Sequence, residues 1–132
     1  MIPIVTIDDH MGVSFNNRRQ SRDSVLCDYL IEFTKDKTLW MEEYSSNLFS
    51  QFDATNIKID CNFLVKADAD DYCFIEKKAL NSKIKKLIVC RWNRVYPADT
   101  YLSLDYKKYK VRIIDEIKGK SHDKITIEEW IL

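Results

Sequence analysis

The 132 residues predict one domain, and a composition of 45% hydrophobic and 32% charged residues predicts a packed core under a solvated surface. Twenty-one basic residues balance twenty-one acidic ones, so net charge gives no reason for non-specific binding to nucleic acid or membrane. No segment approaches the ~18 apolar residues that a membrane span needs.

The opening Met1-Ile-Pro-Ile-Val-Thr-Ile-Asp-Asp lacks a basic lead, and its apolar run is too short for a signal peptide, so a cytoplasmic protein is expected. Nothing is repetitive or rich in Pro, Gly or Ser. Cys27, Cys61, Cys73 and Cys90 form no Cys-x-x-Cys pair, which argues against a zinc site. Each is expected as a reduced core thiol.

Ile2 to Ile7 is short, apolar and β-branched and predicts a buried strand. Asp8 to Arg22 is polar and predicts a loop. Ser21 is a candidate cap for the next helix, with Asp23 and Ser24 in its first turn. Val25, Leu26, Tyr29, Leu30 and Phe33 then recur at helical spacing. Thr38–Met41 predicts a short strand, and Tyr44, Leu48 and Phe52 predict a second helix. Ile57–Cys61, Tyr72–Ile75 and Lys86–Trp92 predict strands. The run Leu87, Ile88, Val89, Cys90 has no polar alternation, which fits burial on both faces at the centre of a sheet. Lys108–Ile114 and Lys124–Ile131 alternate on either side of Gly119 and predict an antiparallel pair. The class is α/β, with a mixed sheet that is mostly parallel, closed by antiparallel C-terminal strands and flanked by helices.

Three blocks carry a likeness: the first strand with Met11-Gly12 and a helix starting near Asp23, the Leu39-Trp-Met41 strand running into a helix at Tyr44, and Leu87 to Tyr101. Lys120-Ser-His-Asp…Glu129 adds a final hairpin. In order and spacing, over about two-thirds of the chain, this resembles dihydrofolate reductase. The resemblance implies that Asp23 matches the acidic residue that holds the pterin ring, with Ser24 as the alternative one residue on.

The same resemblance implies NADPH, and the matching positions speak against it. Glu42 and Glu43 stand where the family has a Gly-Arg pair at a helix N-terminus, and Glu76-Lys77-Lys78 stands where paired glycines let backbone approach pyrophosphate. Carboxylates repel phosphate, at roughly 1 kcal/mol or more per close contact. The expectation is no cofactor and no NADPH-dependent reduction. Small bacterial proteins similar to this chain sometimes carry the label ribonuclease Z, a nuclease with a His-rich metal centre. His10 and His122 are the only histidines, so neither that centre nor another metal site is expected.

Arg18, Arg19, Arg22 and Asp23 flank a helix start, and Arg91, Trp92, Arg94 and Tyr96 leave the central strand. If the two segments meet, guanidinium groups and a flat ring line one cleft suited to an anion or nucleobase. No Ser/His/Asp nucleophile arrangement is visible in the sequence. The reading is a non-catalytic binding protein on a degenerate dihydrofolate-reductase-like scaffold. Its ligand would be an anionic or nucleotide-like molecule, or a protein partner. The alternatives are a small nuclease or phosphate-transfer enzyme and a divergent reductase.

Overall fold

The structure, a computed structural model, describes residues 1–78, 80 and 83–132. Its elements in chain order are β1 (Ile2–Ile7), β2 (Gly12–Phe15), β3 (Arg18–Arg19), α1 (Ser24–Phe33), β4 (Leu39–Met41), α2 (Glu43–Phe49), β5 (Ile57–Ile59), α3 (Phe63–Lys66), β6 (Tyr72–Phe74), β7 (Lys86–Arg91), β8 (Thr100–Tyr101), β9 (Lys110–Ile117) and β10 (Ile125–Ile131). Seven strands form the main sheet in the order β5-β4-β6-β1-β7-β10-β9. The first five run parallel, and β10 is antiparallel to β7 and β9. This is the mixed sheet that the chain order of strands and helices predicts.

β7 lies between β1 and β10 and is buried on both faces, as its unbroken apolar run requires. Ile88 and Cys90 pack on one face with Leu26, Cys27 and Leu30 of α1. Leu87 and Val89 pack on the other with Val5, Ile7 and Trp130. Each fully buried Leu, Ile or Val contributes about 1.5–3 kcal/mol, so this strand anchors both halves of the core.

Helix α1 begins two residues later than a Ser21 cap would place it. Its cap is Asp23, in extended conformation (φ −153°, ψ 122°), whose side chain accepts from the Val25 and Leu26 amides. The stretch over 8–22, expected as a loop, holds the β2–β3 hairpin of a second sheet, ordered β3-β2-β8. Asn16 and Asn17 turn it with φ of 51° and 57°, a pair of left-handed residues that suits a two-residue hairpin. Asp8 fixes its base. One oxygen accepts from the amides of His10 (2.9 Å) and Gly12 (2.8 Å), the other from the Tyr96 amide and Gln20 Nε2 (both 3.1 Å). Gly12 is needed there, because a Cβ would lie 2.7 Å from both Ala98 Cβ and Gln20 Nε2. Cys27, Cys73 and Cys90 are buried free thiols. Cys61 is exposed, because it follows β5 into an open turn.

Candidate functional site

Asp23 is buried where α1 starts and the β9–β10 connection crosses it. Oδ1 accepts from the amides of Val25 (3.0 Å), Leu26 (3.4 Å) and Lys120 (2.9 Å). Oδ2 accepts from the Ser121 amide (3.0 Å), Ser121 Oγ (3.3 Å) and His122 Nδ1 (2.8 Å). Six donors thus converge on a group with about four lone-pair sites. Burial alone would push this carboxyl up, but the Lys120, Ser121 and Val25 amides and His122 hold it well below the usual carboxylate range. Gly119 makes the approach possible, since a Cβ there would lie 2.5 Å from Asp23 Oδ2.

An ionised carboxylate only accepts, so His122 Nδ1 carries the proton in this pair. In the neutral ring Nε2 is then the acceptor. It faces Tyr96 Oη at 2.9 Å and Ser21 Oγ at 3.1 Å. The Trp92 ring stacks on the imidazole at 4.5 Å between centroids. Trp92 and Tyr96 both contact His122, the partner of Asp23. Trp92 is only 3% exposed and offers no open face to a base.

A Ser/His/Asp array is thus present, formed by Ser21, His122 and Asp23. The sequence hides it, because His122 arrives from about a hundred residues downstream. Ser-His-Asp next to Gly119 in a turn reads locally as hairpin chemistry.

The arginines do not share one wall. Arg19 reaches Glu76 through Nε (2.8 Å) and Nη2 (3.0 Å), donates to the Tyr44 carbonyl (3.2 Å), and lies 4.2 Å from the Tyr44 ring centroid. Arg91 pairs with Glu128 at 2.7 Å on the β7–β10 ladder. Arg94 donates to the Ser121 carbonyl at 2.8 Å. Arg18 sits beside Phe15 and Pro97 on an open concavity against the hairpin. The single arginine-lined cleft expected from the sequence is therefore divided, because carboxylates the sequence could not place, Glu76 and Glu128, take up Arg19 and Arg91.

One cleft does lie at Asp23. It has a volume of about 520 Å³ and runs between α1, α2 and the segment at 120–121. Arg22 and Lys120 stand on its wall with Asn47, Ser50 and Gln51, over Leu48. Neither cation has an ion-pair partner among the described residues, and the Asp23 oxygens beside them are spent on other donors.

The residues present do not fit NADPH phosphates. Glu42 stands at the N-cap position of α2 without a side-chain capping bond and pairs with Lys78 at 3.2 Å, and Glu43 occupies the first turn. Glu76 is held by Arg19 and by Ser45 Oγ at 2.7 Å. Negative side chains already complement the start of α2. Among the described residues, no group of three or more His, Cys, Asp or Glu is gathered for a metal, and no helix is long and apolar enough to cross a membrane.

No family model matches the chain, and neither does any curated protein. Among solved structures it is similar to the dihydrofolate reductase of Enterococcus faecalis, solved in complex with NADP(H) and RAB-propyl. The TM-score is 0.57 at 11% sequence identity, over 98% of this chain and 94% of that one. At that identity the likeness speaks for the fold and not for the chemistry. Seven strands in a mixed order, helices on the faces and near-complete mutual coverage together give this chain a dihydrofolate-reductase-like fold.

Proposed function

We propose that this chain is a binding protein on a reductase-like scaffold, with the family's chemistry gone, and that its ligand is a small anionic or nucleotide-like molecule held between α1 and α2. The carrying observation is the placement of Arg22 and Lys120 on one cleft wall with no carboxylate free to pair them. Two cations on one cleft wall, neither in an ion pair among the described residues, favour an anion beside them. Ser24, Asn47, Ser50 and Gln51 offer hydrogen bonds around the same space, and Leu48 offers an apolar floor.

The state of Asp23 supports the loss of reductase function. A pterin-holding carboxylate needs free lone pairs, and these are occupied. The carboxylates at Glu42, Glu43 and Glu76 oppose a pyrophosphate. The experiment is a thermal-shift series with inorganic phosphate, adenosine monophosphate and NADPH on the wild type and on Arg22→Ala and Lys120→Ala. Stabilisation by phosphate or the nucleotide that both substitutions reduce supports the reading. Stabilisation that neither changes, or none at all, contradicts it.

A further inference from the structure

We infer that Ser21 is an activated nucleophile, with His122 as its general base and Asp23 as the group that orients the base, and that it takes an acyl or phosphoryl group from an activated ester. The geometry is that of a nucleophile–base–acid array. Ser21 Oγ lies 3.1 Å from His122 Nε2, and His122 Nδ1 lies 2.8 Å from Asp23 Oδ2. Such arrays are recognised by geometry and role, not by order along the chain. Asp23 cannot rotate away, because backbone amides from α1 and from Lys120 and Ser121 grip both oxygens. The ring cannot tilt away either, because Trp92 covers its face. The tautomer with the proton on Nδ1 is thereby fixed, and the Nε2 lone pair points at hydroxyls.

Ser21 sits next to the cleft wall, one residue before Arg22. It is half-buried, and it borders a space of about 10 Å³ whose walls include Arg22, Asp23, Cys27 and Leu48. All four also line the 520 Å³ cleft. The substrate class follows from that wall: an ester whose anionic part lies against Arg22 and Lys120. This choice of substrate rests on the anion-binding reading above, while the reactivity of Ser21 does not.

The step balances. Ser21 Oγ bonds to the carbonyl carbon as its proton passes to Nε2. The bond to the leaving alcohol breaks, and that alcohol takes the proton from Nε2. Water then attacks the acyl-Ser21 ester with the same base and restores the hydroxyl. With a fluorophosphonate, the Oγ–P bond forms as the Oγ proton passes to His122 Nε2, the P–F bond breaks and fluoride leaves, and the phosphonyl adduct remains on Ser21.

Tyr96 Oη competes for the same lone pair at 2.9 Å, and this separates a reactive array from a structural one. The test is labelling of the whole chain with an uncharged fluorophosphonate, read by peptide mass spectrometry. The expected result is one adduct, on Ser21, that vanishes in Ser21→Ala and is slowed about 100-fold or more in His122→Gln, the range of a lost general base. In Tyr96→Phe, where the competitor is gone, labelling is as fast or faster. No adduct, an adduct that persists in Ser21→Ala, or labelling lost in Tyr96→Phe overturns the inference. Should His122→Gln fail to fold, Ser21→Ala and Tyr96→Phe leave the Asp23–His122 pair in place and decide the question. The probe carries no charge for Arg22 or Lys120 to hold, so failure of labelling and failure of anion binding remain distinct results.

Discussion

His122 Nδ1 lies 2.8 Å from Oδ2 of Asp23, and both side chains are sealed from water. This one contact joins the start of α1 to the β9–β10 connection, and with it the two ends of the chain's fold. A buried carboxylate without its partners is costly, so the contact also sets stability.

The first prediction follows. His122→Ala removes a donor from Asp23, leaves the Ser21 and Tyr96 hydroxyls without their acceptor, and strips Trp92 of its stacking partner. The expected loss is about 2–4 kcal/mol. Urea unfolding monitored by tryptophan fluorescence measures it, and a loss within ~0.5 kcal/mol of zero, the range of ordinary surface substitutions, contradicts the account.

A second prediction concerns acid. Folding lowers the Asp23 carboxyl below its unfolded value of ~3.9, so folding favours the ionised form. That contribution is fully present above the unfolded value and is lost as pH falls through the folded value. Asp8, lowered by the amides of Tyr96, Gly12 and His10 against its burial, acts in the same direction. Stability is therefore expected to fall from about pH 4 downward, more steeply in the wild type than in Asp23→Asn. Urea midpoints between pH 2 and pH 7 test this, and parallel profiles for the two proteins contradict it.

Much of the fold was legible because it rests on local patterns. Leu87–Cys90 reads as a two-face strand from four consecutive apolar residues, and it is one. Val25 to Phe33 reads as a helix from spacing alone. The β2–β3 hairpin was missed because polar Arg18 and Arg19 mask a strand, although Asn16-Asn17 is the kind of pair that turns one. The partner that Asp23 and Tyr96 share was not legible, because pairing His122 with Asp23 requires knowing how the C-terminal strands return to α1. The fate of Arg19 and Arg91 depended likewise on the positions of Glu76 and Glu128, which no local pattern reveals.

Arg19 offers a third prediction. Its guanidinium holds Glu76, whose side chain is only 7% exposed, and ties the hairpin to α2. Arg19→Ala is expected to cost about 1–3 kcal/mol, because it leaves a largely buried carboxylate with Ser45 as its remaining close donor. In a double-mutant cycle with Glu76→Gln, the two effects should be far from additive. Additive losses in the cycle count against the pairing.

The fourth prediction is negative. No saturable NADPH-dependent turnover of dihydrofolate is expected in an absorbance assay. Glu42→Gly combined with Glu43→Arg restores the family's pair at α2 but leaves Asp23 engaged by six donors, so turnover stays absent there as well. Measurable turnover in either protein contradicts the account of Asp23.

The most direct measurement of the central claim is calorimetric titration of adenosine monophosphate into the wild type, the Arg22→Ala/Lys120→Ala double variant and Arg18→Ala. Arg18 lies on a different concavity and serves as the control for loss of charge alone. The account predicts saturable binding to the wild type, affinity reduced about tenfold or more in the double variant, equivalent to ~1.4 kcal/mol, and little change in Arg18→Ala. Equal affinity in the wild type and the double variant, or no binding to the wild type, contradicts it.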